Sequence, residues 1–306
     1  MNLIHKQFKE SSLKGEWIII IGNFDGFHLG HQALFELLLK EKKRLKANTG
    51  ILTFDPHPKK FLQPKVPFYQ IYEDAYKCLL FEQAGIDSCF VISFTRQFAN
   101  LGPSEFIDKL FRFIRLKKII VGYDFNFGKS RQGSVALLRQ ETESRGIEFF
   151  LKDPVQIDGI TVSSTMIRRL LFEGDFNAAA KFLGRTWFIE GQVQKGQGLG
   201  RQIGFATINL EPKVLYPIRN GVYICEVELE GQRHPAVCNI GVKPTFQEKK
   251  YLVEAHLFNF SRTLYDKTVR IFPLKFIRDE LPFENISQLT AQIQKDTMTS
   301  RNYFNL

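Results

Sequence analysis

Cysteine is scarce in this 306-residue chain: Cys78, Cys89, Cys225 and Cys238 are the only four, and no two form a CxxC pair. Their scatter argues against a disulfide framework and against zinc, and predicts buried free thiols. Long apolar runs are missing as well. The longest, around Ile18 to Ile21, falls far short of the roughly 20 residues that cross a bilayer. The opening MNLIHKQFKESS lacks the apolar core of a secretory signal, so the expected location is the cytoplasm, with no membrane partner. Neither an internal repeat nor a low-complexity linker interrupts the chain, and nothing in it marks an oligomeric state.

What is present is an ordinary globular composition, 44% hydrophobic and 24% charged, with 30 phenylalanines to fill more than one core. The length fits two domains. The formal charge is +10, and it is spread out: 27 basic against 20 acidic residues up to Arg185, 15 against 12 after it. The densest basic run, Lys40, Lys42, Lys43, Arg44 and Lys46, reads as the solvated end of a helix, where cations suit the helix dipole. No aromatics interleave with it, so nucleic acid is not the expected partner. Anionic small molecules account for a modest basic excess equally well.

Up to about residue 185, short apolar strands alternate with amphipathic helices. Strands are predicted at Trp17–Ile21, Gly50–Phe54, Cys89–Phe94, Lys118–Gly122 and Ile147–Leu151, with helices near 30–46, 72–84, 103–114 and 134–145. This alternation predicts a Rossmann-like α/β doubly wound parallel sheet, with ligands beyond the carboxyl ends of its strands. After Arg185 the period changes to two: Tyr223, Cys225, Val227 and Leu229 alternate with Glu226, Glu228 and Glu230. With further β-like runs at 188–194, 235–240, 253–260 and 269–277, a small antiparallel β-barrel is expected, followed by a C-terminal helix over 287–303.

The first strand runs into Gly22-Asn23-Phe24-Asp25-Gly26-Phe27-His28-Leu29-Gly30-His31 and then a helix. Free N–H groups and the dipole at such a helix start favour phosphate. His28 and His31, three apart, face one side of a first turn, and Gly30 would let a substrate approach the backbone. Further on, Ser163, Ser164 and Thr165 put three hydroxyls at a helix start with Arg168 one turn in. Such a start binds phosphate oxygens, although alone it also reads as an ordinary cap. In the second part the run Lys195–Leu210 contains Gly196, Gly198, Gly200 and Arg201. Its glycines permit close approach of a phosphate, and also suit a plain hairpin loop. Thr207 and Asn209, two apart in an extended segment, turn two hard oxygens the same way, a pair suited to Mg²⁺. Glu254 alternates with Val253, Ala255 and Leu257 and is placed on the solvent face.

GNFDGFHLGH, Thr53-Phe54-Asp55-Pro56-His57-Pro58, Val121-Gly122-Tyr123-Asp124-Phe125-Asn126-Phe127-Gly128 and the SSTMIRR run together resemble the FMN adenylyltransferase module of prokaryotic FAD synthetases. The resemblance implies that His28, His31, Ser163, Ser164, Thr165 and Arg168 contact ATP phosphates. It also implies that Gly22, Asn23, Phe24, Asp25 and Asp124 line the ATP cleft, with His57 on the flavin side. Residues from about 184 to 300 resemble the riboflavin kinase module that follows it in the same family. There Gly196, Gly198, Gly200, Arg201, Thr207 and Asn209 would hold Mg-ATP, Glu254 would take the proton of the riboflavin 5′-hydroxyl, and Arg278 would lie near the flavin. The implied domains are 1–185 and 186–306; the implied substrates are riboflavin, FMN and ATP, with FMN and FAD as products. The chain departs from the family's Pro-Thr-Ala-Asn at Ala206 and Ile208, and has Lys243 where Asn commonly precedes Pro-Thr-Phe. Two other readings stand beside this one: an adenylyltransferase with an impaired kinase module, and a flavin- or nucleic-acid-binding protein without turnover.

Overall fold

The computed structural model describes residues 1–6, 14–196, 200, 203–244 and 249–306. They form two compact units, Met1–Phe68 with Asp74–Ser164, and Tyr69–Glu73 with Thr165–Leu306.

The first unit is built on β1 (Asn2–Lys6), β2 (Trp17–Ile21), β3 (Asn48–Asp55), β4 (Ser88–Ser93), β5 (Leu116–Gly122) and β6 (Glu148–Lys152). All six are parallel, in the order β1-β4-β3-β2-β5-β6. Its helices are α1 (Leu29–Leu45), α2 (Pro58–Leu62), α3 (Asp74–Gln83), α4 (Arg96–Ala99), α5 (Pro103–Phe113) and α6 (Val135–Glu143). A hairpin of β7 (Gln156–Ile157) and β8 (Ile160–Thr161) ends the unit. The five predicted strands are all here; β1, α2, α4 and the hairpin add to them.

Strand β2 is buried along its whole length, because both faces of a parallel sheet are covered. Ile18 and Ile20 pack on one face with Leu34, Phe35 and Leu38 of α1 and Phe81 of α3. Trp17, Ile19 and Ile21 pack on the other with Phe106, Ile107, Leu110 and Phe113 of α5. Each such burial contributes about 1.5–3 kcal/mol. Strands β3 and β4 follow on one side of β2, and β5 and β6 on the other. The order therefore reverses beside β2, and the carboxyl ends of β2 and β5 form the switch point where sheets of this kind bind ligands.

The second unit takes in α7 from Thr165 onward (α7 is Ser164–Glu173), α8 (Phe176–Leu183) and a closed barrel. Its strands are β9 (Ile189–Gln194), β10 (Ile208–Leu210), β11 (Gly221–Leu229), β12 (Gln232–Pro244), β13 (Lys249–Leu257) and β14 (Thr268–Arg278). They close in the order β10-β13-β12-β11-β14-β9, antiparallel throughout. On β11 the expected alternation holds from Cys225 to Leu229, where Glu226 and Glu228 are half-buried between buried neighbours. Val222 breaks it: this residue is buried as well, against Val237, Phe258 and Phe304. The chain ends in helix α9 (Ile286–Tyr303), whose buried residues are polar: Asp296, Thr297 and Ser300.

All four cysteines are free; Cys78 is half-buried and the others buried. Burial pushes the Cys89 thiol up to about 12 and raises that of Cys225 strongly. Thiols held protonated in this way are inert packing groups.

Candidate active sites

The segment after β2 is a strained turn. Phe24 (φ 53°) and Phe27 (φ 42°) both sit in the left-handed region, which bulky residues rarely enter. Their rings supply the compensation. Phe24 is 2% exposed and Phe27 6%. Both meet the ring of Phe35, at 5.5 and 4.6 Å, and that of Phe81, at 5.8 and 5.6 Å. The core thus fixes the backbone that carries the histidines.

His28 is the N-cap of α1, and its Nδ1 accepts the His31 backbone N–H at 3.3 Å. The two imidazoles stack with centroids 3.6 Å apart. This agrees with their expected common face. A Cβ on Gly30 would lie 3.1 Å from the His28 ring and 3.6 Å from the Val162 carbonyl. The missing side chain at Gly30 leaves room for the His28 ring.

Asp25 is buried, and its carbonyl accepts a hydrogen bond from the Ser164 hydroxyl at 2.8 Å. Two residues that stand 139 apart in the chain therefore meet, a side-chain hydroxyl on a backbone carbonyl. The Oδ1 of Asn23 and the Oγ1 of Thr53, near the carboxyl ends of β2 and β3, are buried and have no hydrogen-bond partner among the described residues. Buried polar atoms are rarely left so. The one mark of Thr53 in the sequence is its place at the head of the TFDPHP run. Asp124, exposed beyond β5, has its carbonyl bonded by Asn126 at 2.7 Å. Partial burial and the Asp124 charge push the Tyr123 phenol up, so it stays a donor. His57 caps α2 through Nδ1, which accepts from Lys59 N–H at 3.1 Å, and stacks on Phe68 at 4.3 Å.

Ser163 and Ser164 are half-buried and Thr165 is exposed. In the second unit, Arg168 donates from Nε to the Tyr69 carbonyl at 2.9 Å. In the barrel, Asn209 on β10 pairs in register with Glu254 on β13, which in turn pairs with Asn239 on β12. Glu254 is half-buried between Val253 and Ala255, both fully buried. Directly opposed residues place their Cβ atoms about 5 Å apart, so the Asn209 amide and the Glu254 carboxylate share one patch of the outer face. The Asn239 amide donates to Glu280 at 3.1 Å.

The loop glycines also have partners of their own. A Cβ on Gly196 would overlap the Asn209 amide, and one on Gly200 would strike the Phe205 carbonyl and come within 3.4 Å of Thr207 Oγ1. At both positions the loop's own atoms, the Asn209 side chain and the Phe205 backbone, leave no room for a Cβ. Gly198, Arg201, Thr245 and Phe246 lie outside the described residues. Arg278 gives Nε and Nη2 to the Asp296 carboxylate, with a shortest contact of 2.6 Å, and Nη1 to the Asp279 carbonyl. Asp296 is 4% exposed. This clasp binds the end of β14 to α9.

Comparison with known proteins matches both parts of the chain. The FAD synthetase family profile matches residues 10–166 and the riboflavin kinase profile residues 183–304. A bifunctional riboflavin kinase/FMN adenylyltransferase from Buchnera aphidicola subsp. Schizaphis graminum is 35% identical over all of both chains. The chain belongs to the bifunctional riboflavin kinase/FMN adenylyltransferase family. A Bacillus subtilis member is 33% identical over 98% of this chain and 96% of its own. An Escherichia coli K12 member is 33% identical over 94% and 93%. Among solved structures, a Streptococcus pneumoniae protein described as a macrolide-efflux protein matches with TM-score 0.80, at 29% identity over 99% of both chains. Among the described residues here, no helix is long and apolar enough to cross a membrane.

Proposed function

We propose that this chain makes FAD in two ATP-dependent steps. Riboflavin is phosphorylated to FMN at the barrel, and FMN is adenylylated to FAD, with release of pyrophosphate, at the parallel sheet. The functional modules are read as 1–185 and 186–306, working in the cytoplasm. The observation that carries the second step is the stacked His28–His31 pair at the sheet's switch point.

In adenylyl transfer the attacking FMN phosphate is already an anion, so no strong base is needed. Alignment and stabilisation of charge on phosphorus and on the leaving group do the work. His28 and His31 give donors to phosphate oxygens, joined by Ser163, Ser164, Thr165 and Arg168. The backbone around Gly22, Asn23, Phe24 and Asp25, with Asp124, lines the nucleotide cleft, and His57 lies on the flavin side. The buried Asn23 Oδ1 and Thr53 Oγ1 suit polar groups of a bound ligand.

In the kinase step the nucleophile is a neutral alcohol, and Glu254 accepts its proton. Gly196, Gly198, Gly200 and Arg201 form the nucleotide loop, and Arg278 belongs to the flavin end. Mg²⁺ would be held by the Thr207 hydroxyl and the Asn209 amide oxygen, hard ligands of the type this ion takes. No cluster of three His, Cys, Asp or Glu that could hold a metal occurs among the described residues. Two protein ligands completed by nucleotide phosphates fit that donor set. When bound, the ion would offset charge on the ATP phosphates.

The test is the product profile of the purified protein given ATP and Mg²⁺ with riboflavin or with FMN. FAD from both substrates supports the proposal. FAD from FMN but never from riboflavin would assign an impaired kinase module. No pyrophosphate from ATP and FMN, alongside salt-sensitive RNA binding, would assign a binding protein without turnover.

A further inference from the structure

Thr207 and Asn209 stand on a segment that β-pairing secures only from Ile208 onward, where Ile208 faces Ala255 and Asn209 faces Glu254. Ahead of that pairing, one side chain reaches the backbone. His256 Nδ1 lies 2.8 Å from the Ala206 carbonyl oxygen. A carbonyl only accepts, so Nδ1 carries the proton and donates, in the neutral ring or the cation alike. The imidazole is held edge-on to two phenyl rings, Phe205 at 5.5 Å and Phe258 at 5.7 Å. One residue back, Phe205 N–H donates to the Gly200 carbonyl at 2.7 Å. Two fixed points therefore precede the oxygens of Thr207 and Asn209. Ala206 stands where the resembling motif has proline, so its φ is not restricted by a ring; the bond to its carbonyl supplies a restraint instead. His256 also sits two residues beyond Glu254 on β13, on the same alternate set of half-buried positions.

We infer that His256 is a positioning residue of the barrel site: it fixes the segment that presents Thr207 and Asn209 to a nucleoside triphosphate with its divalent cation. The inference rests on reading the barrel as the kinase module. His256 touches no reacting atom in this scheme. It acts through the Ala206 carbonyl, and the loss of one such bond is worth about a five- to tenfold change in an equilibrium.

Asparagine and glutamine variants separate the bond from mere bulk. An Asn amide nitrogen reaches the position of Nδ1, while a Gln amide nitrogen reaches that of Nε2. In the full-length, ligand-free protein, amide hydrogen exchange at Phe205 and Ile208–Leu210 is expected to speed up in His256→Ala. Near wild-type protection should return in His256→Asn but not in His256→Gln. In riboflavin phosphorylation, His256→Ala should raise KM for Mg-ATP about five- to tenfold. Its kcat and its KM for riboflavin should hold, and His256→Asn should rescue. Unchanged exchange in His256→Ala overturns the inference, and so does a fall in kcat with KM for Mg-ATP intact or equal rescue by glutamine. A wild-type protein that makes no FMN from riboflavin would defeat the kinase reading instead, and the exchange experiment would still decide on His256.

Discussion

At residue scale, both proposed reactions depend on where a proton or a donor stands. His31 is stacked on His28 and held by the capping bond, so its removal deletes a donor without unmaking the helix. His31→Ala should stall the reaction at FMN, with adenylyl transfer down about 10²–10³-fold; FMN accumulating from riboflavin, followed by chromatography, is the readout. Glu254→Gln should do the converse. FMN formation should fall about 10²–10⁴-fold, while FMN fed directly still becomes FAD; loss of both activities would argue against independent modules. Gly196 makes a subtler case. Its backbone lies against the Asn209 amide, so Gly196→Ala must push that side chain aside. The expected outcome is a kinase that needs more Mg²⁺ for half-maximal rate, with FMN adenylylation unchanged. Residue roles were the least legible part of the sequence. The motif letters pointed to His28, His31 and Glu254. They did not reveal that Gly30 serves the His28 ring, or that Asn23 and Thr53 bury unpartnered oxygens, because those facts depend on side-chain directions set by distant packing.

At element scale the sequence read well wherever burial follows one period. Strand β2, a run of isoleucines, and β11, with its alternating glutamates, announced themselves through that pattern. Helices α2 and α4, of five and four residues, are too short to show a period and are held by the His57 and Thr95 caps. Strand β1 pairs with β4 at the sheet's end and carries no comparable apolar run. Helix α9 was expected, yet its buried side is polar, because Asp296 turns inward to meet Arg278. That clasp carries a prediction about the element. Asp296→Asn leaves a guanidinium without its counter-charge and should cost on the order of 2 kcal/mol. Thermal unfolding should show the loss, and hydrogen exchange should place it in α9 and the end of β14.

At the largest scale, the parallel sheet carries a set of paired charges at one edge. At the amino edge of the parallel sheet, Asp87 pairs with Lys42 and bonds the Thr49 amide and hydroxyl. Glu41 pairs with Arg44 and Lys118 there. Burial would raise both carboxyls, but these hydrogen bonds and cations outweigh it and hold them below their ordinary values. A carboxyl lowered by folding contributes stability above its unfolded pKa, and the contribution is lost as pH falls through the folded one. Asp87→Asn should therefore lower the melting temperature at neutral pH and converge on wild type below about pH 4; a constant gap down to pH 2 would refute the pairing. The doubly wound sheet and the barrel were both legible from chain-wide periodicity. The dependence of the first site on its core was not, and it bears on how the motif could be reused. Phe24 and Phe27 hold left-handed backbone only because Phe35 and Phe81 receive their rings. The decapeptide Gly22–His31 is accordingly not portable: grafted onto another parallel sheet, it would bring its histidines but not their stacking, unless counterparts of Phe35 and Phe81 travelled with it.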